Sequence, residues 1–195
     1  MSVRQIRIVG DPVLRSPAED VTDFGPELAR LVEDMMETMR DVSGAGLAAP
    51  QVGVGLRVFT YEVDGASGHV VNPVLEVSDA EQEPGSEGCL SVPGLGFTTP
   101  RRAWARVSGY TAAGEPVTVE GTGMLARCFQ HECDHLDGTL YIDRLAGQSR
   151  KAAMRQIRAA EFSTAAASTQ AERAGRVGSA FSAQTFGGAP LGGAK

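Results

Sequence analysis

Between residues 28 and 42 the apolar side chains Leu28, Leu31, Val32, Met35, Met39 and Val42 recur at spacings of three and four, the period of a helix that buries one face. Gly25 and Pro26 stand just ahead of it and suit a cap and a first turn. The glycine-rich stretch 44–55 interrupts the pattern and reads as a loop. Beyond it come short apolar or alternating runs at 56–63, 69–78, 101–110 and 116–121, which read as strands. A second helix is predicted from the Thr122/Gly123 region to about Leu136, with Gly138 as its stop. A third spans about 146–161, with Met154 and Ile157 facing inward. Short strands set between helices predict an α+β fold.

Residues 163–195 lack such a pattern. Ala, Gly, Ser and Thr fill 22 of these 33 positions, and Phe181, Phe186 and Leu191 are too scattered to bury much surface. The expected organisation is one ordered domain over residues 1–162 and a low-complexity, mobile tail over 163–195. A chain of 195 residues can bury one substantial core.

Charge changes the picture of partners. The net charge is −6, which argues against a protein that binds nucleic acid or acidic lipid over its whole surface. Residues 1–143, however, carry 10 Lys/Arg against 22 Asp/Glu, whereas Arg144, Arg150, Lys151, Arg155 and Arg158 follow with no acid among them. The basic charge is concentrated on the third predicted helix. No run approaches the ~20 apolar residues of a membrane span, and the N-terminus lacks the apolar region of a secretion signal. The expectation is a cytoplasmic protein without membrane contact. Cys89, Cys128 and Cys133 are too few for a disulfide framework, so they are available for packing, metal binding or catalysis.

Chemistry concentrates in the second helix. His131, Glu132 and His135 form HECDH, and the helical period puts the two imidazoles on one face, a turn apart, where they can share a metal. A catalytic site needs a third protein ligand and an open position. Cys128 lies seven residues from His135, about 10.5 Å along the axis at about 1.5 Å per residue, too far for a short thiol. Cys133 points some 200° away from His131 at about 100° per residue and reads as core. By elimination the ligand is Cys89, in GSEGCLSVPG, where Gly85, Gly88 and Pro93 mark a bent backbone. The loop GAGLAAPQVG (44–53) has small side chains that let another chain lie against it. As a phosphate cradle it lacks a following GK[ST]. Beside a metal cleft it could instead expose backbone to an extended peptide and aim Gln51 at a reacting carbonyl; an ordinary helix-to-strand connection is equally compatible.

Taken in order, GAGLAAPQ (44–51), EGCLS (87–91) and QHECDHLDG (130–138) resemble the three signature motifs of peptide deformylases, and GDPVLR (10–15) is similar to the opening of that family. The resemblance spans roughly residues 3–160. It implies hydrolytic removal of the N-formyl group from nascent polypeptides that begin with formylmethionine, with release of formate, by a metal-activated water. It implies an α+β fold of strands wrapped around the HExxH helix. Carried over, Cys89, His131 and His135 hold the metal, Glu132 is general base and acid, and Gln51 with the backbone N–H of Leu90 binds the oxyanion. Gly46 and Gly88 pair with the substrate main chain. The implied metal is Fe²⁺, with Zn²⁺, Ni²⁺ or Co²⁺ substituting, and the implied partner besides the formylated chain is the ribosome, reached through the basic helix 146–161.

Such an enzyme needs a pocket for the methionine side chain, and Met124 and Cys128, upstream of His131 on its face, suit its apolar walls. Arg127 projects to the same side and is expected to reach the rim and meet an acidic or carbonyl partner. Glu87 and Arg101 bracket the Cys89 segment and could pair to hold it, or form a solvated surface pair. A HExxH protease that cuts internal peptide bonds is the nearest rival, but no His follows His135 to serve as its third ligand. A non-catalytic relative would be favoured by loss of Glu132 or Gln51, and both are present.

Overall fold

The computed structural model describes residues 2–81 and 84–182. Helix α1 spans Pro26–Asp41 and buries Leu28, Leu31, Val32, Met35 and Met39, the face its periodicity predicts. The same face buries Asp34 and Thr38, which tie down the N-terminal segment: Asp34 accepts from Ser2 N–H (2.7 Å) and Arg4 Nη2 (3.0 Å), and Thr38 Oγ1 from Arg4 N–H (2.9 Å).

Strands β1 (Gly46–Ala48), β2 (Val58–Val63) and β3 (Ala66–Val77) follow, then β4 (Gly85–Cys89), β5 (Val92–Thr99), β6 (Trp104–Tyr110) and β7 (Pro116–Thr122). These strands pair antiparallel, in one sheet of order β1-β2-β3-β6-β7 and a separate β4-β5 hairpin. The four predicted strands correspond to β2, β3, β6 and β7. The stretch 44–55 read as loop contains the three residues of β1 and a 3₁₀ turn at Ala49–Val52.

Helix α2 (Gly123–Leu136) lies on the large sheet. Its Ala126, Phe129, Cys133 and Leu136 pack against Phe59, Tyr61, Val70, Ala105 and Val107, with Phe129 edge-on to Tyr61 at 5.2 Å between ring centres. Burying this stripe on the sheet leaves the side bearing Cys128, His131 and Glu132 open to the β4-β5 hairpin. The helix stops at Gly138, whose φ of +69° suits glycine and where a Cβ would sit 2.9 Å from the carbonyl of Arg15.

Helix α3 spans Gly147–Arg158, ends at an extended Ala159, and is followed by α4, Ala160–Ser182. Of the low-complexity tail expected from 163 onward, residues 163–182 are helical as part of α4, and residues 183–195 lie outside the described residues. Alanine is the strongest helix former, and Phe162 and Ala166, one turn apart, are buried with Val92, Leu140, Tyr141, Ile142, Leu145 and Ala153. Two anchors docked on the body suffice where composition alone suggests none. Phe186 and Leu191, and the side chain of Phe181, lie outside the described residues. On α3, Ala153 is fully buried, and Met154 and Ile157 pack partly inward as expected.

Candidate metal centre and active site

Helix α2 sets the rings of His131 and His135 at 4.9 Å between centres, nearly perpendicular. Cys89 arrives from the end of β4, where the pairing register shifts between Gly88 and Cys89, a bulge of the kind that re-aims a side chain. Its Sγ is 3.2 Å from His135 Nε2. One donor atom from each of Cys89, His131 and His135 lies within 4.8 Å of the others. His131 turns Nδ1 to Glu87 Oε1 at 2.7 Å, which fixes the ring and leaves Nε2 for a metal. A thiol with two imidazoles suits a divalent transition metal, so the residues fit such an ion.

The other two cysteines are occupied elsewhere. Cys128 is buried with Sγ 3.5 Å from the carbonyl of Ala45, and burial, then the Glu132 charge, pushes its thiol well above the usual range. Cys133 is buried between α2 and the sheet.

Glu87 anchors an ion network that the sequence only hinted at. It accepts from Arg101 Nη2 (2.6 Å) and Nε (3.0 Å) and from Arg127 Nη1 (3.0 Å). Arg101 Nη1 also reaches Asp134 (2.7 Å), which Arg144 clasps through Nη2 (2.5 Å) and Nε (3.1 Å). Burial alone would push Glu87 up, but Arg101 and His131 override it and hold the carboxyl at about 2. The Glu87–Arg101 pair is therefore buried, not solvated. Arg127 meets an acid and a carbonyl, Thr99 O at 2.9 Å, but does so buried and not at the rim, because Glu87 lies inward beside His131. Asp134 was not singled out in the sequence, since nothing in its spacing marks a contact with Arg101, 33 positions away, and Arg144, read there only as part of the basic C-terminal charge, is tied to Asp134 ten positions before it. Tyr141 was also missed; its ring stacks on His131 at 6.3 Å and its hydroxyl donates to Leu95 O at 3.0 Å.

Glu132 is buried, and burial pushes its carboxyl up to about 7 despite the opposing His131 charge. Its Oε2 has no hydrogen-bond partner among the described residues, an uncommon state for a buried carboxyl oxygen. Gln51 sits in the 3₁₀ turn after β1, where Oε1 accepts from Ala48 N–H at 2.9 Å. That fixes its amide so that Nε2 faces Ser91 Oγ (3.2 Å) and Cys89 Sγ (3.6 Å). Leu90 follows Cys89 in the turn between β4 and β5. Gly46 on β1 passes so close to α2 that a Cβ there would be 2.3 Å from Glu132 Oε1 and 2.9 Å from Cys128 Sγ.

Gln51, Leu90, Gly46, Gly88, Cys128, Glu132, Cys89, His131 and a half-exposed Met124 line one cleft of about 620 Å³. Thr169 and Arg173 of α4 complete its wall. Nothing in the sequence pointed to these two, which lie in the stretch expected to be mobile. A carboxylate, a buried amide donor and the ligands Cys89 and His131 line this cleft, with His135 buried behind them within 4.8 Å of both, and such a set can activate water and stabilise an oxyanion.

Residues 3–151 match the family model of polypeptide deformylase. The peptide deformylase of Acidothermus cellulolyticus is 59% identical over 162 residues, 83% of this chain and 89% of that protein. Peptide deformylase 2 of Streptomyces avermitilis is 55% identical over 159 residues, 79% of this chain and 86% of the relative. Among solved structures, the Thermus thermophilus peptide deformylase superposes with a TM-score of 0.76 at 41% identity, covering 88% of this chain and 99% of that one. The Ehrlichia chaffeensis peptide deformylase in complex with actinonin gives 0.74 at 35%, covering 80% and 96%. With the match covering most of its length and all three of its motifs meeting at one cleft, this chain belongs to the polypeptide deformylase family, metal-dependent hydrolases that remove the N-formyl group from nascent polypeptides.

Proposed function

We propose that this chain performs that hydrolysis with Glu132 as the proton carrier, Gln51 and the Leu90 N–H as oxyanion donors, and Cys89, His131 and His135 as the metal ligands. The observation that carries the reading is the convergence of the three ligand atoms within 4.8 Å beside a buried Glu132. A divalent ion held there supplies a Lewis acid that makes water a nucleophile near neutral pH. Glu132 takes the proton of the attacking water and returns it to the amine nitrogen as the formyl C–N bond breaks, releasing formate and a free N-terminus. Gln51 Nε2 and the Leu90 N–H donate to the oxygen that gains charge only in the tetrahedral state. Gly46 and Gly88 offer main chain to the substrate, and Met124 with Cys128 forms the apolar wall for the methionine side chain.

Formate release and metal content measured on one sample test this. Glu132→Gln should keep the metal and lose about 10² to 10⁴ in rate; activity within tenfold of the parent removes Glu132 from the role. Cys89→Ala should release the metal and Cys128→Ala should retain it. We infer Fe²⁺ as the working metal from family membership, with Zn²⁺, Ni²⁺ or Co²⁺ replacing it, since the donor set accepts all four. The iron form should then lose activity in air faster than the zinc form, because Zn²⁺ does not change redox state.

We infer further that the enzyme works in the cytoplasm, where formylated chains emerge, and docks on the ribosome through α3. Arg150, Lys151, Arg155 and Arg158 are exposed along it, on a chain whose first 143 residues carry 22 acidic against 10 basic side chains. Arg144 is committed to Asp134 and drops out of this surface. Reversing the four charges should abolish ribosome co-sedimentation at low salt while a free formyl-Met peptide is still cleaved. Unchanged co-sedimentation refutes the docking. Among the described residues no helix is long and apolar enough to cross a membrane.

A further inference from the structure

Ser91 is fully buried between two groups of the active site. Its N–H donates to Cys89 Sγ at 3.4 Å, and its Oγ stands 3.2 Å from Gln51 Nε2. The direction of the second contact follows from the far end of the same amide. Gln51 Oε1 accepts from Ala48 N–H at 2.9 Å, so the end that faces Ser91 is the NH₂ group. An amide nitrogen donates and does not accept. The Ser91 oxygen therefore takes one of the two Nε2 hydrogens and leaves the other for the side of Cys89, whose Sγ is 3.6 Å away. That is the side of the metal ligands and of the cleft that Gln51 lines.

This bond matters because the last torsion of a glutamine is soft. Held at Oε1 alone, the amide plane can turn and carry both hydrogens out of place. An oxyanion is stabilised by donors that are already aimed when its charge develops, so a restraint on the amide plane acts on the rate. Ser91 is itself held still. Val9 N–H donates to Ser91 O at 2.8 Å, and Arg7 N–H donates to Gln51 O at 2.7 Å. One N-terminal segment thus pins the backbones of both residues, and the Ser91 hydroxyl is left as the part that sets the plane of the Gln51 amide. Buried as it is, Ser91 reaches the reaction only through Gln51 and the Cys89 turn.

We propose that Ser91 is a positioning residue, whose hydroxyl locks the Gln51 amide so that its second hydrogen meets the oxyanion. The proposal rests on the reading of Gln51 as an oxyanion donor. The test measures kcat, KM and metal content with a formyl-Met peptide for the full-length parent, Ser91→Ala, Gln51→Ala and the double variant. Alanine keeps both backbone hydrogen bonds of residue 91 and removes only the hydroxyl. Ser91→Ala should lower kcat by about five- to tenfold, the worth of one hydrogen bond. KM and metal content should hold, since an interaction made only in the transition state acts on kcat. Gln51→Ala should cost about 10² to 10³ in rate, and adding Ser91→Ala to it should cost nothing more, because the amide that Ser91 orients is gone. That coupling is a readout which a merely structural role does not move. A Ser91→Ala enzyme within twofold of the parent overturns the proposal, as does a rise in KM at constant kcat or a loss of metal in proportion to activity. An equal factor in the Gln51→Ala background also overturns it, because Ser91 then acts through the Cys89 turn. The two readings fail separately. A Gln51→Ala enzyme within tenfold of the parent removes Gln51 as the donor and this inference with it, whereas a slow Gln51→Ala enzyme with an undiminished Ser91 effect removes this inference alone.

Discussion

Gly46→Ala is the most discriminating single change at this site, because it perturbs the position of Glu132 without replacing any group that reacts. The added Cβ would sit 2.3 Å from Glu132 Oε1, 2.8 Å from its Cδ and 2.9 Å from Cys128 Sγ. The strand cannot yield, since β1 is held in register on β2, with Gly46 opposite Tyr61. Gly46 does not have a positive φ, so alanine brings no backbone strain. The carboxylate is what moves. Restoring an ordinary contact of 3.4 Å from 2.3 Å displaces Oε1 by about 1.1 Å. A misplacement of about 1 Å costs on the order of 10²-fold in rate, or about 2.7 kcal/mol at 1.36 kcal/mol per tenfold. The fold should suffer less. Overpacking typically costs about 1–3 kcal/mol, and alanine recovers about 0.4–1 kcal/mol of it by restricting the unfolded chain. Formate release, metal content and urea midpoint measured together should show kcat/KM down about a hundredfold, metal retained, and stability lowered by about 1–2 kcal/mol. Adding Cys128→Ala removes the sulfur clash but not the carboxylate clash, so stability should recover and activity should not. A Gly46→Ala enzyme within threefold of the parent refutes the reasoning, because Glu132 could not then need the position it occupies.

Glu87→Gln removes the anion between Arg101, Arg127 and His131; breaking such a buried network costs about 3–5 kcal/mol, and loss of the His131 support should weaken metal affinity by about 10- to 100-fold, read by competition with a chelator. His69 accepts from Ala112 N–H through Nε2 at 2.9 Å, which requires a neutral ring, and burial lowers its pKa from 6.5. The folded pKa lies below the unfolded one, so this contribution is complete above pH 6.5 and fades as pH falls through the folded value; urea midpoints should drop more between pH 7.5 and 5.5 for the parent than for His69→Gln, and equal drops refute the assignment.

What could be read in the chain beforehand follows from how local the cause is. The buried face of α1 and the HECDH pair on α2 are set by helical period alone, and both stand in the structure where the spacing puts them. Helix geometry also set Cys128 apart from Cys89 before any fold was known. The β4-β5 hairpin that carries Cys89 escaped, because Gly85, Gly88, Pro93, Gly94 and Gly96 are poor strand formers and their pairing across the bulge is supplied by partners in the hairpin itself. Three residues of β1 are too few for any period to register.

Two larger features, the extent of the network around the expected Glu87–Arg101 pair and the docking of α4, escaped for a cause of another kind. Glu87, Arg101, Asp134 and Arg144 are ordinary surface residues by type, and only their convergence behind His131 makes them a buried support for the metal ligands. Each would cost free energy buried alone, so the network is stable only as a whole. Helix α4 is the mirror case. Its composition argues for a solvated tail because the stretch offers little apolar surface of its own, yet the body supplies the surface it docks on, Val92, Tyr141 and Ala153 included. A helix in a folded protein gains most of its stability from such packing, which a composition count does not contain. Docked there, the same helix brings Arg173 to a carbonyl 83 residues away in sequence, and the segment that looked least functional becomes a wall of the cleft.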